Sequence, residues 1–267
     1  MSRWLRLSLL TVVLLALVAS IPGIGLATER ALQDVRDRFD SRPERTVLFV
    51  GNSRTYYNDM PYMVRRIADS ASAPHRYSIE MHALGGATLQ DHLSDPEVLA
   101  LLAKRWDTVV LQEQSGLQVD NAAAKNLVSV ATQLISKARE AGSNVAMFIT
   151  WRYFDEAYAA LFPDQGREMH ETIQRKHHEL AAAIGVDLVN VGLVWERVRA
   201  LKPSFSLYAD DNHPSVHGSY LAALMFYAHV SGGDVENVTY RPSGVSIADA
   251  EVLRGAVSGY LGDMNGS

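Results

Sequence analysis

The sequence predicts an α/β chain, a doubly wound, flavodoxin-like three-layer sandwich around a five-stranded parallel sheet. Two observations predict it. Short apolar runs rich in β-branched residues recur along the chain, each about the length of a buried strand. Between them lie segments whose apolar residues repeat with helical spacing. Parallel strands need a long crossover, usually a helix, and right-handed crossovers put helices on both faces of the sheet.

The runs are Val47–Val50, Tyr77–Ala83, Thr108–Leu111, Asn144–Thr150 and Val186–Val191. In the first crossover Met63, Ile67 and Ala68 share a helix face. After the third run, Leu127, Val130, Leu134 and Ala138 fall at i, i+3, i+7 and i+11. Glu179, Leu180, Ala183 and Ile184 close another helix, and Gly185 is suited to stop it. Arg152–Gly166 mixes aromatics and charges without a period and reads as a surface loop near the site. Ser246–Leu261 reads as a C-terminal helix.

Composition narrows the function. With 48% hydrophobic and 21% charged residues the 267-residue chain is of ordinary globular type. A formal net charge of -5 without a basic block gives nucleic acid no purchase. The absence of cysteine removes thiol nucleophiles, thiolate metal sites and disulfides together.

Residues 1–27 read as a signal peptide or membrane anchor. Arg3 and Arg6 precede an uncharged stretch from Leu7 to Ala27, with Leu9, Leu10, Val12, Val13, Leu14, Leu15, Leu17 and Val18 at its centre. Pro22 and Gly23 break the helix, and Gly25 and Ala27 stand at the spacing of a cleavage site. The same stretch is about long enough to span a bilayer. In either case the chain is exported, periplasmic or secreted. Residues 28–45 form a tether or surface helix, and residues 46–267 form one domain.

In an open parallel sheet, sites lie at the carboxyl ends of the strands. Four segments follow that rule. After the first strand comes Gly51-Asn52-Ser53-Arg54-Thr55, where a sharp turn would bring Ser53 to the sheet edge, as a nucleophile or as a helix cap. After the second comes Gly85-Gly86-Ala87-Thr88, which allows close backbone approach and free N–H groups, or simply a turn with Thr88 as cap. After the third comes Gln112-Glu113-Gln114-Ser115, whose amide side chains can donate to an oxyanion or bind nearby backbone. The fourth is Tyr208-Ala209-Asp210-Asp211-Asn212-His213-Pro214-Ser215. Asp210, three residues before His213, can orient its imidazole, with Asp211 as rival. Pro214 suits the first turn of a following helix.

Together these segments resemble the four blocks of the SGNH, or GDSL-type, hydrolases, over roughly residues 46–231. Ser53 in Gly51-Asn52-Ser53 matches the first block, Gly86 the second, and Asp210 and His213 with Pro214-Ser215 the last. The third block departs from the family, whose usual Gly-x-Asn is missing here. Gln114 is the substitute, with Gln112 as rival. The resemblance implies a Ser53–His213–Asp210 triad, an oxyanion hole from Ser53, Gly86 and Gln114, and hydrolysis of small acyl esters, acetyl esters on sugars among them. It leaves open an O-acyltransferase with the same triad, and a non-catalytic glycan-binding domain on the same scaffold.

Arg54, Trp151 and Arg152 are candidates for substrate contact, with Trp151 equally suited to capping the core. Tyr56, Tyr57 and Asp59 are placed to line the cleft. His213 and His217 lie four apart, a metal-like spacing, but lack an evident third ligand. His177 and His178 read as solvated. No metal or cofactor is expected. The expected partner is a small-molecule or glycan ester, with the membrane met only through an uncleaved N-terminal segment. The oligomeric state is open.

Overall fold

The computed structural model of the chain describes residues 39–116, 126–154 and 168–266. The expected export or anchor segment, most of the expected tether, and residues 155–166 of the expected loop lie outside them. The main compact unit is Glu44–Ser267.

All five apolar runs are strands: β1 Glu44–Gly51, β2 Arg76–Ala83, β3 Thr108–Leu111, β4 Asn144–Ile149 and β5 Asp187–Asn190. They pair in parallel, in the order β2-β1-β3-β4-β5. The chain therefore leaves β1 in one direction to make β2 and in the other to make β3. Such a reversal marks the carboxyl ends of β1 and β3 as the place where doubly wound sheets bind ligands.

Strand alternation sets the layers, because successive side chains point to opposite faces. Val47 and Phe49 of β1 join Val110, Ala146, Phe148 and Val189 in one core. Leu48 and Val50 join Val109, Leu111, Val145 and Met147 in the other. The first core is covered by α2 (Met60–Ser70), α7 (Val191–Leu201), α8 (Val216–Ser231) and α9 (Ile247–Asn265). The second is covered by α3 (Leu89–Leu93), α4 (Pro96–Leu102), α5 (Leu127–Glu140) and α6 (Glu168–Ile184). A four-residue helix α1, Ser53–Tyr56, and a 3-10 turn, Tyr57–Asp59, link β1 to α2.

The periodicities have their physical cause in burial. Leu127, Val130, Leu134 and Ala138 of α5 are all buried, as are Met63, Ile67 and Ala68 of α2. Gly185 ends α6 at φ +62. Helix α8 lacks a polar face, since nearly every residue from Gly218 to Ala228 is buried. Phe226 of α8 meets Phe49 and Phe148 edge-on, at 5.1 and 4.8 Å between centroids. Each such fully buried side chain contributes roughly 1.5–3 kcal/mol of transfer free energy.

Three expectations are corrected. His177 is buried, its ring nitrogen Nδ1 against the Ile173 carbonyl at 2.9 Å, because Ile173, His177 and Leu180 share the inward face of α6. Burial holds its imidazole down to about 4; His178 is exposed as expected. Pro214 precedes helix α8 rather than entering it, because Ser215 is the cap, its hydroxyl accepting from Gly218 N–H. The C-terminal helix runs on to Asn265, with Ser246 as its cap.

Candidate active site

The turn after β1 is shaped by close approach. A Cβ on Gly51 would stand 2.4 Å from Thr55 Oγ1 and 2.7 Å from Gln112 Oε1, so a larger residue would have to displace both side chains. Asn52, in extended conformation, caps α1 by accepting from Arg54 N–H. Ser53 is thus the first helical residue rather than the cap. Gln112 Oε1 accepts from Asn52 N–H and from the Thr55 hydroxyl, each at 2.9 Å, and its Nε2 donates to Glu113 O at 2.7 Å. Gln112 is fully buried and its amide holds this turn through both its oxygen and its nitrogen, whereas Gln114 is half-buried.

The Asp210–His213 loop is closed by a bridge between Tyr208 and Pro214. Asp210 Oδ1 accepts from the N–H groups of Asn212 and His213, at 2.8 and 2.7 Å. This folds Asp210 over its own loop and leaves Oδ2 to meet His213 Nδ1 at 2.8 Å. On the other side of the ring, His213 Nε2 lies 2.9 Å from Ser53 Oγ. Ser53, His213 and Asp210 are brought together in one line, and Asp211 is not part of it. Burial pushes the Asp210 carboxyl up, but hydrogen bonds from the backbone and imidazole of His213 outweigh it and hold it below its usual range. The Tyr57 ring lies on the His213 ring, with centroids 4.2 Å apart.

The Gly85-Gly86 turn is tied to the nucleophile turn at both ends. Leu84 N–H donates to Gly51 O at 3.2 Å, and Asn52 Nδ2 donates to Ala87 O at 3.0 Å. Gly86 takes φ +72, a conformation that favours glycine, and is exposed. Among the described residues the N–H groups of Ser53 and Gly86 meet no acceptor. Thr88 caps α3 in a capping box with Asp91.

Gln114 is half-buried, with its Nε2 3.5 Å from the Tyr153 hydroxyl. Its neighbour Glu113 is given no role by the sequence beyond its place in the third block, yet one oxygen, Oε1, accepts from Gln114 N–H at 2.6 Å and from Leu89 N–H at 3.2 Å. Burial pushes this carboxyl up to about 7 against the pull of those two bonds. His92 was also missed: it is buried, with Nε2 2.8 Å from Gly51 O.

Of the three substrate-contact candidates, Arg54 and Trp151 are buried, which is a correction, and Arg152 is half-buried. Arg54 is 3% exposed. Its Nε and Nη2 donate to Asn212 Oδ1 at 2.8 and 2.6 Å, and Nη1 donates to Trp151 O. Burial pulls the guanidinium down to about 10. Trp151 is fully buried, stacked on Trp195 at 3.9 Å, with Nε1 donating to Asn212 O at 3.0 Å. Arg152 pairs with Glu196 at 3.3 Å and accepts at its carbonyl from the Tyr208 hydroxyl at 2.8 Å. All three follow a strand or turn at the site, as their positions suggested; burial closes off Arg54 and Trp151, while Arg152 stays half-buried beside Glu196. His217 turns away from His213 to Asp249, at 3.5 Å.

No family model and no curated protein sequence matches the chain. Solved structures do. A DUF4886 family protein from Bacteroides uniformis superposes with a TM-score of 0.70 at 17% identity, covering 82% of this chain and 95% of its own. A protein from Slackia heliotrinireducens, provisionally described as an SGNH hydrolase, gives a TM-score of 0.60 at 29% identity, covering 71% of this chain and all of its own. A lipase/acylhydrolase from Enterococcus faecalis gives 0.56 at 16% identity, covering 70% and 96%. With its parallel sheet, its helices on both faces and its blocks at the strand ends, the chain has the fold of the SGNH, or GDSL-like, hydrolases.

Proposed function

We propose that the chain is an exported serine esterase that hydrolyses small acyl esters, acetyl esters on carbohydrate first among them, through an acyl-enzyme. One observation carries the reading: the continuous hydrogen-bonded line from Ser53 Oγ through His213 to Asp210, with links of 2.9 and 2.8 Å. The likeness to the Slackia protein supports a hydrolase role, and the charged-then-apolar N-terminal segment supports export.

His213 Nε2 takes the Ser53 proton as Oγ attacks the ester carbonyl, and Asp210 holds the ring by Nδ1–H and stabilises the imidazolium. The carbonyl oxygen becomes an oxyanion, met by the N–H groups of Ser53 and Gly86 and by the amide of Gln114. The imidazolium then gives its proton to the departing alkoxide, which leaves as the alcohol. Water, deprotonated by His213, attacks the acyl-enzyme and releases the acid and free Ser53.

The test is turnover of p-nitrophenyl acetate and longer-chain esters by the purified full chain, beside Ser53→Ala and His213→Ala. Turnover that both variants lose, by about 10³-fold or more, is expected. Equal, slow rates in all three would sink the reading and favour a glycan-binding domain. Acyl transfer to an added sugar that outpaces hydrolysis would replace it with the O-acyltransferase.

A further inference from the structure

We infer that Arg54 and Asn58 are positioning residues that grip the loop on both sides of His213, so that the nucleophile's own segment holds its base in register. The inference rests on the esterase reading of Ser53 and His213.

Two side chains leave the segment after Ser53 and reach the residues that flank His213. Arg54 donates twice to the Asn212 side chain, on the amino side of His213. Asn58 Nδ2 donates to Pro214 O at 3.0 Å, on the carboxyl side. Between them Tyr57 covers the imidazole face. The residues that hold the base thus lie within five positions of the nucleophile in sequence, whereas the base is 160 residues away.

Each grip is built tightly. Asn212 also donates its N–H to Asp210 Oδ1 and accepts at its carbonyl from Trp151 Nε1, so its side chain stands on a fixed backbone. The Arg54 guanidinium sits 5.1 Å from the centroid of Trp151 and 5.0 Å from that of Tyr153. A planar fork can stack there and still donate twice to one oxygen, which a lysine ammonium cannot. Asn58 stands at φ 53, ψ 21, a left-handed conformation that Asn tolerates better than most residues. Its Nδ2 also donates to Ser219 Oγ at 2.9 Å, anchoring the grip to helix α8. Strained backbone of this kind persists where the surroundings over-determine it, and it gathers at functional sites. Loss of either grip would let the imidazole drift from Ser53 Oγ, and a displacement of about 1 Å at a reacting group can cost about 10²-fold in rate.

The test compares the full chain with Arg54→Met, Asn58→Gly, Asn212→Ala and Asn212→Asp. Asn58→Gly keeps the left-handed backbone and removes the side chain that bonds Pro214 O and Ser219 Oγ. We expect kcat on the best ester to fall about 10- to 100-fold in Arg54→Met, Asn58→Gly and Asn212→Ala, with KM within about 2-fold of wild type. Asn212→Asp keeps the acceptor for Arg54 and should recover most of the loss. The low-field proton resonance of His213 Nδ1–H should broaden or move in the three impaired variants at temperatures where they remain folded. Wild-type kcat and an unmoved resonance in folded Arg54→Met and Asn58→Gly would overturn the inference. If Arg54→Met fails to fold, Asn58→Gly decides by itself. Absence of turnover in wild type would count against the esterase reading alone, and the resonance would still decide whether the two grips hold His213.

Discussion

The Tyr57 ring and the His213 ring lie almost parallel, 8° apart in plane with 4.2 Å between centroids. The stack fixes the imidazole plane from a side that neither Ser53 nor Asp210 touches. Tyr57→Phe keeps the ring and should keep kcat within about 3-fold of wild type. Tyr57→Ala should lower kcat about 10-fold, on the scale of one aromatic contact, while leaving KM nearly unchanged. Steady-state kinetics on p-nitrophenyl acetate separates the two variants.

Asp210 fixes both the tautomer of His213 and the fold of its own loop. Asp210→Asn keeps the size but cannot hold the imidazole in the same way. Its kcat should drop by about 10²–10⁴-fold, the range of such changes in serine triads. A variant as active as wild type would remove Asp210 from the mechanism.

Gln112 and Gln114 should fail differently. Gln112→Ala removes a buried acceptor that serves Asn52 N–H and Thr55, and should cost about 1–3 kcal/mol of stability, seen as a lower urea midpoint. Gln114→Ala should leave that midpoint in place and lower kcat by about 10²–10³-fold, the scale of losing one oxyanion donor. Full activity in Gln114→Ala would leave the oxyanion to the backbone N–H groups.

Glu113 makes stability depend on pH. Burial raises its folded-state value to about 7, from an ordinary value of 4.5. The folded chain therefore holds this proton more tightly than the unfolded chain. The resulting contribution is fully present below about pH 4.5, declines as pH rises, and is gone once pH passes about 7. Glu113→Gln does not titrate, so its melting temperature should fall less than that of wild type between pH 5 and about 7.5. Parallel melting curves for the two proteins across that range would show that Glu113 is not the source.

Most of the fold was legible because its signals are local. Val47–Val50 and Val109–Leu111 are apolar on both faces, as a strand buried in a parallel sheet requires. Helix α8 carries no such signal, since a helix buried along most of its length has no polar stripe to mark its register. Its neighbour α7 begins directly after β5 at Val191, and with no loop between them the residues read as one apolar run. Polar neighbours, Lys176 and His178, hide the place of His177 on the inward face of α6.

The sequence by itself determined the doubly wound sheet and the positions of Ser53, Asp210 and His213 at its carboxyl edge. These follow from period, turn chemistry and a three-residue reach within one loop, all of which act over short stretches of chain. Only the tertiary structure decided what Arg54, Trp151, Gln112 and Glu113 do. Each has two plausible uses, and which one it takes depends on atoms far away in sequence: Asn212 for Arg54 and Trp151, Asn52 for Gln112, Leu89 for Glu113. A buried polar group must find a partner wherever the fold brings one, and no local pattern records which distant residue that will be.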